Sequence, residues 1–177
     1  MTGDARLAVE LVEGETLAAV ASLWRKTGRE LRARFGGSSM DPALPPGTEV
    51  VLRCGETGAP GEVIAFLADG RLVVHRVVAR AADGSWTLTR GDARVLPDAP
   101  ILDPEAIVGR VAGVWRGAAL EVVPPPEESA SRRWVTGAFS ALLRAHRGTG
   151  SIALKSIHGG SRLLRTLAGL LVRRTRA

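Results

Sequence analysis

Two adjacent serines, Ser38 and Ser39, lie between the glycine pair Gly36-Gly37 and Met40-Asp41-Pro42, with Leu44-Pro45-Pro46-Gly47 close behind. A nucleophilic serine must stand proud of the backbone, with N–H groups beside it to receive an oxyanion. Glycine permits such a turn, and Pro42 stiffens its exit. A serine hydroxyl also needs a base within hydrogen-bond reach. Only three histidines are present, and His75 sits in Leu72-Val73-Val74-His75-Arg76-Val77-Val78. Strand alternation puts Leu72, Val74, Arg76 and Val78 on one face, and His75 on the other between Val73 and Val77. A neutral imidazole is what a general base for serine requires. Downstream, Gly91-Asp92 and Pro97-Asp98 bracket an irregular segment. Either carboxylate could accept the second ring N–H and fix the tautomer, although aspartate after glycine or proline is also ordinary turn chemistry.

The elements that must position these groups are mostly strands. Thr16 is placed to cap a helix over Leu17–Lys26 with Leu17, Val20, Ala21 and Leu23/Trp24 on one face, and Gly28 to end it. Residues 7–13 read equally as helix or strand. Glu30–Phe35 alternates as a strand that delivers the chain to the serine loop. Further strands are expected over Glu49–Arg53, Glu62–Leu67, Arg71–Arg80, Ser85–Arg90, Ile107–Trp115 and Leu120–Val123. Asp69-Gly70 and Asp83-Gly84 have the form of two-residue hairpin turns. This pattern predicts a mainly β domain, a compact sandwich or barrel-like unit spanning 30–123 after a helical lead-in at 1–29.

The order of these pieces resembles a family. Gly37-Ser38-Ser39-Met40-Asp41-Pro42 is followed by Gly61-Glu62-Val63-Ile64-Ala65-Phe66, by Leu72-Val73-Val74-His75-Arg76-Val77-Val78, by Thr89-Arg90-Gly91-Asp92 with Pro97-Asp98, and by Ile107-Val108-Gly109-Arg110-Val111. The series is similar to the signal peptidase I superfamily of serine peptidases, whose relatives include the LexA-type self-cleaving repressors. Histidine after the paired valines resembles the archaeal and endoplasmic-reticulum type; bacterial signal peptidases place lysine there. The resemblance implies Ser39 as nucleophile, His75 as base, Asp92 and Asp98 as the two aspartates, and an oxyanion cleft around Gly37, Ser38 and Met40. It also implies a mainly β fold in which substrate adds as a strand, with cleavage after small side chains. Signal peptidases usually read Ser-Gly-Ser-Met, so Gly37-Ser38 exchanges two residue types and removes one side-chain oxyanion donor, a loss worth about 10²–10³ in turnover. The reading is a serine endopeptidase acting on a leader, signal or precursor peptide. Its alternatives are a LexA-like self-cleaving regulator and an inactive β binding module.

Composition narrows the partners. The 177 residues include one cysteine, Cys54, which excludes an internal disulfide and leaves no thiolate metal set; neither metal nor cofactor is expected. Residues 129–177 hold ten Lys/Arg and no Asp/Glu, whereas the rest holds 14 basic and 18 acidic residues. Pro124-Pro125-Pro126-Glu127-Glu128 marks the boundary between the two. Within the basic tail, Arg133–Arg147 and Ser161–Arg174 read as amphipathic helices. Their apolar stripes could dock on the β body, or bind an anionic membrane surface. Nucleic acid is not expected, because no stacking platform accompanies the charge. No apolar run reaches the roughly 18–20 residues needed to span a bilayer, and no signal peptide opens the chain. The location implied is cytoplasmic, peripheral on the membrane through the tail.

Overall fold

The computed structural model describes residues 14–116, 119–126 and 129–146; the segments expected at 7–13 and at Ser161–Arg174 lie outside them. Helix α1 (Gly14–Thr27) begins two residues before Thr16. It stops at Gly28, whose φ of +59° lies in the left-handed region that ends helices cheaply. Its inner face buries Ala21 and packs Trp24 on the sheet.

Seven strands follow: β1 (Glu30–Phe35), β2 (Thr48–Cys54), β3 (Val63–Ala68), β4 (Arg71–Arg80), β5 (Thr87–Arg90), β6 (Ile107–Arg116) and β7 (Ala119–Glu121). They form one antiparallel sheet in the order β1-β2-β6-β3-β4-β5, with β7 pairing the last part of β6. The expected sandwich or barrel-like unit is thus a single sheet, since period-2 alternation marks faces without specifying partners. The asymmetry of pairing matters most near the serines. β5 covers only Arg76–Arg80 of β4, so Arg71–His75 is paired to β3 alone. β1 pairs only with β2.

Alternation sorts the sheet's central strands into two of the three core clusters. Val63, Ala65, Val74, Val108 and Val111 join Met40 and Leu44 in one. Ile64, Phe66, Val77 and Ile107 form the other, with Val73 packed against it. Each fully buried side chain of this kind contributes about 1.5–3 kcal/mol relative to exposure.

The two turn motifs part company. Asp69 and Gly70 both have positive φ, 50° and 70°, and close the β3–β4 hairpin as a two-residue loop, with Ala68 opposite Arg71. At Asp83-Gly84 only glycine is left-handed. That stretch is part of a six-residue connection, closed by Gly84 N–H to Ala81 O at 2.9 Å and Ala81 N–H to Trp86 O at 3.0 Å. β5 therefore starts at Thr87 rather than Ser85.

Helix α2 (Ala130–His146) carries apolar residues on both sides. Val135 and Leu143 are buried, and Leu143 and Phe139 pack with Ala81, Trp86 and Leu88 beside β5. Trp134 (66% exposed) and Leu142 (41%) face away. No helix among the described residues is long and apolar enough to cross a membrane.

Candidate active site

The serine loop joins β1 to β2. Leu44 N–H bonds Met40 O at 2.9 Å and Gly47 N–H bonds Phe35 O at 2.7 Å, which closes the loop on its own strand end. Met40 anchors it. Its side chain is fully buried in the core, and its Sδ accepts the Asp92 N–H at 3.4 Å. Met40 is therefore the root of the loop and does not line a cleft, which corrects the sequence expectation. Met40 is buried while the residue before it, Ser39, is partly exposed.

β4 brings His75 to Ser39 across 36 residues of sequence. Nε2 lies 2.8 Å from Ser39 Oγ, and Nδ1 lies 2.6 Å from Asp98 Oδ2. An ionised carboxylate only accepts, so Nδ1–H donates to Asp98. That tautomer leaves the Nε2 lone pair for the Ser39 hydroxyl, which donates to it. The imidazole is 8% exposed, and its ring meets Phe66 edge-on at a centroid distance of 6.2 Å. Asp98 is held in turn by Thr89 Oγ1–H at 2.8 Å, while its N–H bonds Thr89 O at 2.8 Å. Ser39, His75, Asp98 and Thr89 thus form one chain of side-chain hydrogen bonds.

Asp92 does not join that chain; of the two aspartates left open by the sequence, Asp98 is the one that meets the ring. Its oxygens take Arg76 Nε–H at 2.9 Å and Arg76 Nη2–H at 2.6 Å, with both side chains under 5% exposed. Arg76 also donates to Gly61 O at 2.7 Å and to Pro124 O at 2.8 Å. A buried guanidinium so fully bonded is a structural tie. It fixes the strand that carries His75 to the loop that follows β5.

Sequence reasoning missed Gly91 and Thr89 as parts of the site. A Cβ at Gly91 would lie 2.5 Å from Ser39 O and 3.1 Å from His75 Nε2. Only glycine lets the backbone pass this close to the dyad. The signal was present in Thr89-Arg90-Gly91-Asp92, but a sequence motif does not say which atoms it must clear.

A cleft of about 330 Å³ opens beside Ser39, lined by Phe35, Gly36, Gly37, Leu72, Val73 and Val74 among others. Its floor is apolar, and its sides are β1 and the part of β4 that β5 leaves unpaired. Gly37 lines it; Ser38 is exposed at the loop surface. The Ser39 N–H donates to no backbone carbonyl among the described residues. No group of His, Cys, Asp and Glu among the described residues could hold a metal ion. Cys54, the last residue of β2, is buried, and burial pushes its thiol up from the ordinary value.

Searched against protein-family models the chain matches none, and no curated protein matches it.

Proposed function

We propose that the protein is a serine endopeptidase of the signal peptidase I type, with Ser39 as nucleophile, His75 as base and Asp98 as the group that orients it. The single observation behind this reading is the run of hydrogen bonds from Ser39 Oγ through His75 to Asp98 beside an open apolar cleft. Packing alone gives no reason to align a hydroxyl, both imidazole nitrogens and a carboxylate in that order.

A peptide substrate would lie in the cleft as an added strand, pairing with the free backbone of β4 between Arg71 and His75. Ser39 Oγ attacks the scissile carbonyl while His75 Nε2 takes the hydroxyl proton, and Asp98 stabilises the resulting imidazolium. The oxyanion is received by the Ser39 N–H. Collapse breaks the C–N bond, with Nε2 returning its proton to the departing amine. Water, activated by the same nitrogen, then hydrolyses the ester on Ser39 and regenerates the enzyme. Neither metal nor organic cofactor enters these steps. The substrate class is a leader, signal or precursor peptide, with a small residue at the cut.

The test is to incubate the full chain with a diverse peptide mixture and identify new termini by mass spectrometry. Cleavage by the native protein that vanishes in Ser39→Ala is expected; cleavage that survives that substitution refutes the reading.

A further inference from the structure

From α2, Arg132 reaches the loop that follows β5. Its Nη2–H donates to Asp92 O at 2.6 Å. From β5, Arg90 Nη1 reaches back to the helix, bonding Thr136 Oγ1 at 2.9 Å and Arg132 O at 3.4 Å. The segment so gripped, Gly91 to Ala93, is the one that holds the nucleophile. Ala93 N–H bonds Ser39 O at 2.9 Å, Asp92 N–H bonds Met40 Sδ, and Gly91 packs on Ser39 and His75 with no room for a Cβ. One unbroken path therefore runs from Arg132 through the Asp92 carbonyl and the Ala93 amide to the backbone of Ser39.

We propose that Arg132 is a positioning residue for Ser39, and that α2 is a clamp whose seating sets the reactivity of the dyad. This rests on the peptidase reading above. The physical argument is one of tolerance: Oγ and Nε2 are 2.8 Å apart, and a misplacement of about 1 Å can cost on the order of 100-fold in rate. The Gly91–Ala93 segment lies outside the strands. Its hold on Ser39 is then only as firm as what braces it, and Arg132 and Arg76 brace it from opposite sides. α2 itself is seated by the buried Val135 and Leu143 and by Phe139.

The test uses the full chain with Arg132→Gln, which keeps helix propensity and the seating residues but is too short to span to the loop. Arg132→Lys serves as the conservative rescue, and Arg144→Ala as a charge control on the exposed side of α2. The probe is p-nitrophenyl acetate. Ser39 Oγ bonds the acetyl carbon, the bond to p-nitrophenolate breaks, and the hydroxyl proton passes to His75 Nε2; the coloured burst reads the acylation rate. Exchange of the Ala93 amide hydrogen is followed in parallel, because it reports the bond to Ser39 without needing catalysis. Arg132→Gln is expected to slow the burst about 10-fold, or about 1.4 kcal/mol, and to speed Ala93 exchange, with Arg132→Lys recovering part of both. Arg144→Ala should match the native protein. A native burst rate together with native Ala93 exchange in Arg132→Gln overturns the proposal. A native protein that gives no burst overturns the peptidase reading instead, and Ala93 exchange then still decides whether Arg132 braces the serine loop.

Discussion

The two aspartates are expected to fail in opposite ways when each is changed to asparagine. Asp98 accepts the His75 Nδ1–H at 2.6 Å, and its side chain is 29% exposed. Asparagine fits the same space, but its amide can present N–H to the ring and favour the wrong tautomer, a change that costs about 10⁴ in turnover in comparable triads. Little stability should be lost, because the site is only part-buried and the Thr89 hydroxyl, which meets the same atom as the ring, can rotate to accept from the amide N–H. Asp92 is the reverse case. Its side chain and that of Arg76 are 3% and 4% exposed, so Asp92→Asn leaves a buried guanidinium facing a neutral group. Breaking such a pair costs about 3–5 kcal/mol. At about 2–4 °C per kcal/mol for a chain of this size, the melting temperature should fall by roughly 6–20 °C. The remaining folded protein should still cleave at a rate within about 10-fold of native, because its dyad keeps Asp98. Thermal unfolding and peptide cleavage, measured on both variants below their transitions, separate the cases. Asp92→Asn that is dead but fully stable, or Asp98→Asn that keeps more than about a tenth of native turnover, refutes this division of labour.

Three further outcomes follow from the same geometry. Gly91→Ala should lose activity severely, since its Cβ would lie 2.5 Å from Ser39 O; Ser38→Ala, at an exposed position, should change turnover by no more than a few-fold, as peptide kinetics on both will show. Because burial raises the Cys54 thiol, the folded state keeps that proton to higher pH than the unfolded chain. Its contribution is complete below the ordinary thiol value and is lost as pH rises through the raised one, so the melting-temperature gap between native protein and Cys54→Ala should narrow from pH 7 to pH 10. The native protein should co-sediment with anionic vesicles and not with neutral ones, and a Trp134→Ala variant more weakly than native, because α2 presents Trp134 outward and contains arginines but no acid.

Much of this arrangement was legible in the residues. The strand over Arg71–Arg80 and the loop that interrupts the β pattern at Gly36 to Gly47 placed His75 and Ser39 on definable elements, because alternation and turn chemistry are local. Local signals could not choose between Asp92 and Asp98. Both follow a turn residue, and only the pairing of β5 with β4 decides that Asp92 meets Arg76 while Asp98 swings back over Thr89 to the imidazole. Met40 shows the same limit. Next to Ser39 in sequence, it lies fully buried in the core. Gly91 and Thr89 were invisible for a related reason, since their roles depend on Ser39 and Asp98, 52 and nine positions away in sequence. Helix α2 was read as apolar on one stripe, whereas residues on both of its sides are apolar and only tertiary packing selects which is covered.

The central claim is that Ser39 forms a covalent bond to its substrate. A peptide cleaved by the native protein, supplied as its p-nitrophenyl ester, is mixed with enzyme, quenched in acid within milliseconds, and the intact protein weighed and fragmented. A single acyl adduct mapping to Ser39, absent from Ser39→Ala and greatly reduced in His75→Ala, is the predicted result. An adduct on Ser38, or undiminished turnover in Ser39→Ala with no adduct at residue 39, would contradict it.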